Sequence, residues 1–259
     1  MINKVKELYN YREMIYSLVK RELRGKYKAS VLGFFWTFLN PLLQMLVYLI
    51  VFSVIMRSGI EHFAIYLFVG LMPWNFFSMS ITGGSACVVS QDNLIKKIYF
   101  PRIILPISYV TSMFINMLLT FIVVFVVLIV SGYGINLAAI CFLPIVMILE
   151  YVITLGLTML FSALTVYLRD LEYVLGIIAM AWLYLTPIFY SAEQVPEKYL
   201  FLFNLNPMKP IIENYQQILY WKQIPRSETL GYAAVFGIVI LILGILIFEK
   251  LQKKFVEEL

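Results

Sequence analysis

The chain has one histidine, two cysteines and little charge, only 14% of its 259 residues being Asp, Glu, Lys or Arg. A single histidine, His62, excludes a multi-histidine metal centre, and its place in a short segment between apolar runs reads as surface. Cys87 and Cys141 fall inside apolar runs and read as small buried hydrophobes, with neither a disulfide framework nor metal-ligand spacing. There is no G-x-x-x-x-G-K-S/T motif: Gly25-Lys26 lacks the upstream glycine and the following hydroxyl, which excludes a P-loop for ATP. H-E-x-x-H, G-x-S-x-G and paired carboxylates within an apolar run are also missing, so hydrolytic and transfer chemistry have no residues to work with. A soluble domain is excluded as well, because the longest stretch outside the uncharged runs, Ser191 to Glu228, is half apolar and too short for an independent core.

What is present is hydrophobic residue, 62% of the chain, with a mean hydropathy of +0.87, the composition of a polytopic membrane protein. Six runs qualify as spans: 34–56, 63–89, 103–130, 138–167, 173–190 and 229–248. A helix needs about 20 residues to cross hydrocarbon at about 1.5 Å per residue. Only the fourth run holds an ionisable group, Glu150. An intramembrane carboxyl is either a functional group facing the protein interior or a structural hydrogen-bond acceptor, and a relay built on Glu150 would have one member. Fifteen of the 20 basic residues fall on one side of this topology, which places both termini in the cytoplasm. The net charge of +5 is therefore a signal of topology and anionic lipid, and nucleic acid is not an expected partner. No cleavable signal peptide is expected, since about thirty charge-rich residues precede the first apolar run.

The chain is organised around Tyr11 to Pro41, YREMIYSLVKRELRGKYKASVLGFFWTFLNP. Leu8, Tyr11, Ile15, Leu18 and Val19 recur at three- and four-residue spacing opposite Arg12, Lys20, Arg21 and Arg24, which predicts a helix lying on the membrane surface. Asn10 and Glu13 have the spacing of a capping box. Pro73, in GLMPWNFF, is expected to kink the second span. Between Gln91 and Arg102, Asp92 caps a short stub whose apolar residues sit beside Lys96 and Lys97 before Pro101 stops it. This stub is either a solvated loop or a contact for a cytoplasmic partner. In Ser191 to Glu228, Pro196 starts a short helix through Phe203, and Asn206-Pro207 starts a second ending near Trp221. Neither can span, so the pair reads as a re-entrant hairpin, its aromatics suiting either an interfacial belt or a pore mouth.

At this level of detail YKASVLGFFWTFLNPLLQMLVY, FVGLMPWNFF, IKKIYFPRIILP, YLRDLEYVLG and PIFYSAEQVPEKYLFLFNLNPM, in that order, resemble the type-2 ABC exporter permeases that carry O-antigen, capsule and teichoic acid polysaccharides. The resemblance implies an all-α polytopic permease of six spans in the cytoplasmic (inner) membrane of a bacterium, working as a homodimer. It further implies two separate ABC ATPase subunits that bind the ATP and Mg, with no cofactor and no catalysis in this chain. The substrate implied is a glycan on a polyprenyl pyrophosphate lipid. Residues 1–32 become an interface helix, 33–259 the permease domain, and 191–228 an outer gate with Leu202, Asn206, Pro207 and Ile211. The coupling helix that seats in the ATPase comprises Asn93, Leu94, Ile95, Lys96, Lys97, Ile98, Tyr99 and Phe100. Leu32-Gly33 matches the head-group entrance, where Arg24, Lys26 and Lys28 supply cations that favour phosphate. Sugars present apolar C–H faces to aromatic rings, which nominates Phe34, Trp36, Phe38, Trp182, Tyr184, Phe189 and Tyr190 for the channel, although core packing is the favoured role for any single one of them. The rival readings are a type-2 ABC permease for a smaller lipid or drug, and an ion-coupled secondary transporter supported by Glu150 alone.

Overall fold

The computed structural model describes residues 2–25, 30–55, 59–191 and 194–259, and among them the fold is all helical, without a strand. Two short helices, α1 (Ile2–Asn10) and α2 (Arg12–Gly25), precede α3 (Trp36–Leu49), which runs on as a π-helical turn over Ile50–Ile55. Then come α4 (Phe63–Ser85), the stub α5 (Asp92–Lys97), α6 (Ile104–Val130), the single turn α7 (Leu137–Ile140) and α8 (Leu143–Tyr167). The C-terminal third holds α9 (Leu171–Tyr184), α10 (Leu200–Asn204), α11 (Met208–Leu219), α12 (Ser227–Leu251) and α13 (Phe255–Glu258). Among the described residues, five helical segments are long and apolar enough to cross a membrane: Gly33–Ser53, Phe63–Ser85, Ile104–Val130, Leu137–Tyr167 and Ser227–Glu258.

The fifth expected span departs from this pattern. Its helix stops at Tyr184 after 14 residues, about 21 Å at 1.5 Å per residue, and Leu185–Tyr190 turn instead of continuing. Other differences are local. Asn10 ends α1 rather than capping α2. Cys141, placed inside a run by hydropathy, sits at the break between α7 and α8 and is exposed, whereas Cys87 is buried as expected. Pro73 lies within a continuous α4.

α4 is the centre of the bundle. Its apolar residues lie on all sides, and 78% of its most apolar stretch is buried, by α8 and α6 on its flanks and by α11, α9 and α3. The most extensive helix pair is α8 with α12, and its closeness depends on two glycines. A Cβ on Gly244 would lie 2.2 Å from the Gly156 carbonyl oxygen, and one on Gly156 would lie 2.7 Å from the Leu241 backbone. Lipid gives helices no hydrophobic reason to associate, so backbone-to-backbone packing of this kind supplies the attraction.

A second apolar cluster closes the basic end of the bundle. Leu18 of α2, Cys87, Ile95 of α5, Phe100, Phe248 and Phe255 of α13 pack there, with Leu8, Tyr11 and Ile15 partly buried against them. The apolar stripe of the N-terminal helices is thus seated on protein. The Tyr167 hydroxyl donates to the Leu251 carbonyl at 2.8 Å, and the Arg102 guanidinium donates to that of Gln252.

Candidate functional site

The basic end carries two of the predicted features. Arg24 is exposed at the end of α2, and Leu32 is exposed beside Gly33, whose left-handed backbone (φ +48°) turns the chain into α3 at a position glycine occupies without strain. Lys26 and Lys28 lie outside the described residues. In the stub, Asn93 and Leu94 fall within α5, where the Asp92 carboxylate accepts from the Asn93 N–H at 2.6 Å and lies 4.0 Å from the Lys96 ammonium. The helix ends at Lys97, short of the expected Phe100. Ile95 and Phe100 are buried in the chain's own cluster and anchor the stub from below. Ile98 (55% exposed) and Tyr99 (91%) point outward instead, and with Lys96, Lys97 and Val256 they line a recess of about 260 Å³. This division was hidden in the sequence because β-strand-like Ile98 leaves the helix and reverses the face its side chain takes.

At the opposite end the hairpin residues separate into two groups. α11 belongs to the core: Ile211, Ile212 and Tyr215 are fully buried, so Ile211, nominated for the outer gate, lies inside the bundle of its own chain. Several hydrogen bonds fix α11 in place. Tyr215 donates to the Glu150 carboxylate at 2.6 Å, Gln216 to the Pro187 carbonyl at 2.8 Å, and Thr229 to the Asn214 side-chain carbonyl at 2.8 Å. Beyond its end, the Tyr220 hydroxyl donates to the Glu61 carbonyl at 2.5 Å and the Tyr133 hydroxyl to that of Tyr220 at 2.8 Å. Burial, and after it the Glu61 carboxylate, push the Tyr133 phenol up, keeping it a donor.

Asn206 is the joint. Its carbonyl accepts from the Met208 N–H at 2.9 Å and the Trp182 indole at 2.8 Å, and its NH₂ donates to the Thr186 hydroxyl at 3.0 Å. Asn206 and Pro207, both buried, therefore start α11 and tie it to the end of α9. The preceding segment is different: Tyr199, Phe201 and Leu205 are exposed, and α10 stands off α9 across an apolar recess of about 760 Å³. The Leu202 side chain lies outside the described residues.

Of the aromatic channel candidates, Trp182 packs edge-on to Phe77 at 5.1 Å, and Phe189 is buried and stacked on Phe52 at 4.4 Å. Those two hold α9 and its following turn against α4 and the end of α3. Tyr190, partly buried, donates through its hydroxyl to the Tyr184 carbonyl at 3.0 Å and accepts through its own carbonyl from Tyr66 at 2.9 Å. Phe34, Trp36 and Tyr184 are exposed, with Phe38 in edge contact with Phe34.

Sequence reasoning missed the groove that α3, α4 and α6 form together. It measures about 670 Å³ and brings Asn40, Gln44, Asn75 and Asn116 to one place, with Thr37 and Thr120 beside them. The signal was in the sequence, since uncharged spans that carry amides are spending polar groups inside hydrocarbon, but only the tertiary arrangement shows the four amides meeting.

Residues 13–220 match the family described as ABC-2 type transporter. The chain belongs to that family. It is 36% identical over 261 residues to the O-antigen export system permease protein RfbA of Myxococcus xanthus, with 100% of both chains covered. An RfbA of the same description from Klebsiella pneumoniae is 31% identical over 250 residues, covering 95% of this chain and 94% of the relative. The polysialic acid transport protein KpsM of Escherichia coli is 22% identical over 243 residues, covering 92% and 93%. As an ABC-2 member the chain is a transport component, and ATP hydrolysis belongs to a separate subunit.

Proposed function

We propose that this chain is the membrane subunit of an ATP-driven exporter that moves a polyprenyl-pyrophosphate-linked polysaccharide of the O-antigen or capsule type across the bacterial inner membrane. The observation that carries this reading is end-to-end similarity, 36% over the full length of both chains, to a relative named for O-antigen export. The helical bundle supports it: long apolar helices and an exposed stub bearing Ile98, Tyr99 and two lysines at the basic end suit a permease driven by a separate ATPase. In this reading the basic end faces the cytoplasm, the 14-residue α9 with its following turn serves as the fifth of six crossings, and two copies assemble over two ATPases. Arg24 with Leu32-Gly33 receives the pyrophosphate, and the 194–205 segment, with Tyr199, Phe201 and Leu205 exposed, covers the exit while α11 stays fixed. Glu150 is bonded to Tyr215, which favours a structural role over an ion relay.

The experiment is purification of the tagged chain from its own cells, together with deletion of its gene. The expected results are recovery of a P-loop ATPase at equal stoichiometry and loss of surface glycan with accumulation of lipid-linked glycan inside. Unchanged surface glycan in the deletion strain refutes the proposal.

A further inference from the structure

The groove between α3, α4 and α6 has an unusual chemistry for its place. Asn40 and Gln44 stand one turn apart on α3, Asn75 comes from α4 and Asn116 from α6, all from apolar helices. Asn75 donates through Nδ2 to Gln44 Oε1 at 2.8 Å, so the two amides hold each other in position. One such bond uses a fraction of what they offer, because each primary amide has two N–H donors and a carbonyl with two lone pairs. Amides facing acyl chains would forfeit those bonds at a cost, so polar side chains at this depth face protein or a hydrated path.

The chemistry of the lining selects the occupant. Among the described residues no ionisable side chain lines the groove, which argues against the pyrophosphate or a lipid head group. An isoprenoid tail would need no amides. A sugar fits, because its hydroxyls both donate and accept while its C–H faces meet apolar surface. That surface is here supplied by Trp36, Phe76 and aliphatic side chains together with Met72, Met79, Met113 and Met117, whose flexible side chains adapt to changing shapes. Neutral amides also bind without the strong attraction of fixed charge, which suits a chain that must move on. The volume of about 670 Å³ lies within the range of about 300–1,000 Å³ usual for ligand sites.

We infer that this groove is a glycan track, in which Gln44 and Asn75, flanked by Asn40 and Asn116, exchange hydrogen bonds with the hydroxyls of the sugar chain during passage. The inference rests on the polysaccharide-export reading and adds to it the residues that touch the glycan.

The test uses the complete exporter, permease with its ATPase, in proteoliposomes. Two probes are compared: polyprenyl pyrophosphate bearing the producing cell's glycan, and bare polyprenyl pyrophosphate. In the Gln44→Leu/Asn75→Leu variant, glycan-stimulated ATPase activity should fall about 5- to 25-fold relative to stimulation by the bare lipid, from one or two lost hydrogen bonds at about a factor of 5 each. The exchange Gln44→Asn/Asn75→Gln, which keeps both amides, should restore most of the ratio. A second measurement does not depend on that variant folding: in a Cys141→Ser background, an Asn40→Cys substitution should react with a hydrophilic maleimide more slowly when glycan-bearing lipid is loaded. Undiminished glycan stimulation in the leucine variant overturns the track while leaving the export reading standing. So does glycan-independent labelling, or a leucine variant whose only defect is loss of subunit assembly. Failure of the wild-type exporter to transport the glycan at all overturns both.

Discussion

Tyr215→Phe removes one hydroxyl and leaves the ring, so it isolates a single bond in the bundle interior. Tyr215 and Glu150 are both fully buried, and the phenol donates to Glu150 Oε2 at 2.6 Å. Glu150 Oε1 has no partner among the described residues, so the substitution deprives the carboxyl of its hydrogen bond altogether. Leaving a buried polar group unsatisfied costs about 1–3 kcal/mol. For a chain of this size each kcal/mol corresponds to about 2–4 °C, so detergent-purified protein should lose about 2–12 °C in thermal midpoint. Glu150→Leu should cost a similar amount by stranding the phenol. The double variant should recover about 1–2 kcal/mol of the summed loss, because neither group is then orphaned. The assay is thermal unfolding followed by tryptophan fluorescence and by retention on size exclusion. A Tyr215→Phe midpoint within 1 °C of wild type, or strictly additive losses in the double variant, refutes the account of this pair as the tie between α11 and α8.

Gly244→Ala should sharply lower the yield of folded protein, because its Cβ would lie 2.2 Å from the Gly156 carbonyl and overpacking of this kind costs about 1–3 kcal/mol or more, whereas Gly231→Ala, with open space around it, should purify normally. Ile98→Asp should leave the permease as stable as wild type and uncouple ATP hydrolysis from export, while Ile95→Asp should destabilise the permease itself, since burial of a side chain this size contributes about 1.5–3 kcal/mol and an unpaired charge replaces it; equal midpoints for the two would refute the division. Changing Arg24, Lys26 and Lys28 together to Gln should reduce stimulation by the pyrophosphate-linked substrate more than basal ATPase activity, and equal loss of both would mean that the cluster only anchors the helix. A disulfide between Phe201→Cys residues of two subunits should arrest export with ATPase assembly intact, and efficient cross-linking with normal export would reduce the 194–205 segment to a static cap.

The sequence by itself determined the class of this protein. Long hydrophobic runs with little or no charge are read by the bilayer one residue at a time, so the apolar helices starting at Phe63, Ile104, Leu143 and Ser227 appear in hydropathy nearly where they lie. The apolar stripe of Ile15, Leu18 and Val19 on α2 was equally legible, because helical spacing alone puts those residues on one face, whereas the break at Tyr11 that sets Leu8 on a separate helix was not. The start of α11 at Asn206-Pro207 was readable for the same local reason. Tertiary structure decided which apolar residues face protein and which face outward, since lipid and protein interior are alike to a hydropathy scale. Ile95 and Ile98, or Ile211 and Phe201, look the same in sequence, and only the neighbours supplied by distant helices bury the first of each pair. Glu150 finds its partner 65 residues away, and the amide groove draws on three helices; these are long-range placements that no local periodicity encodes. Where a side chain's energy depends on its own helix the sequence is sufficient, and where it depends on what another helix brings to it, only the assembled bundle decides.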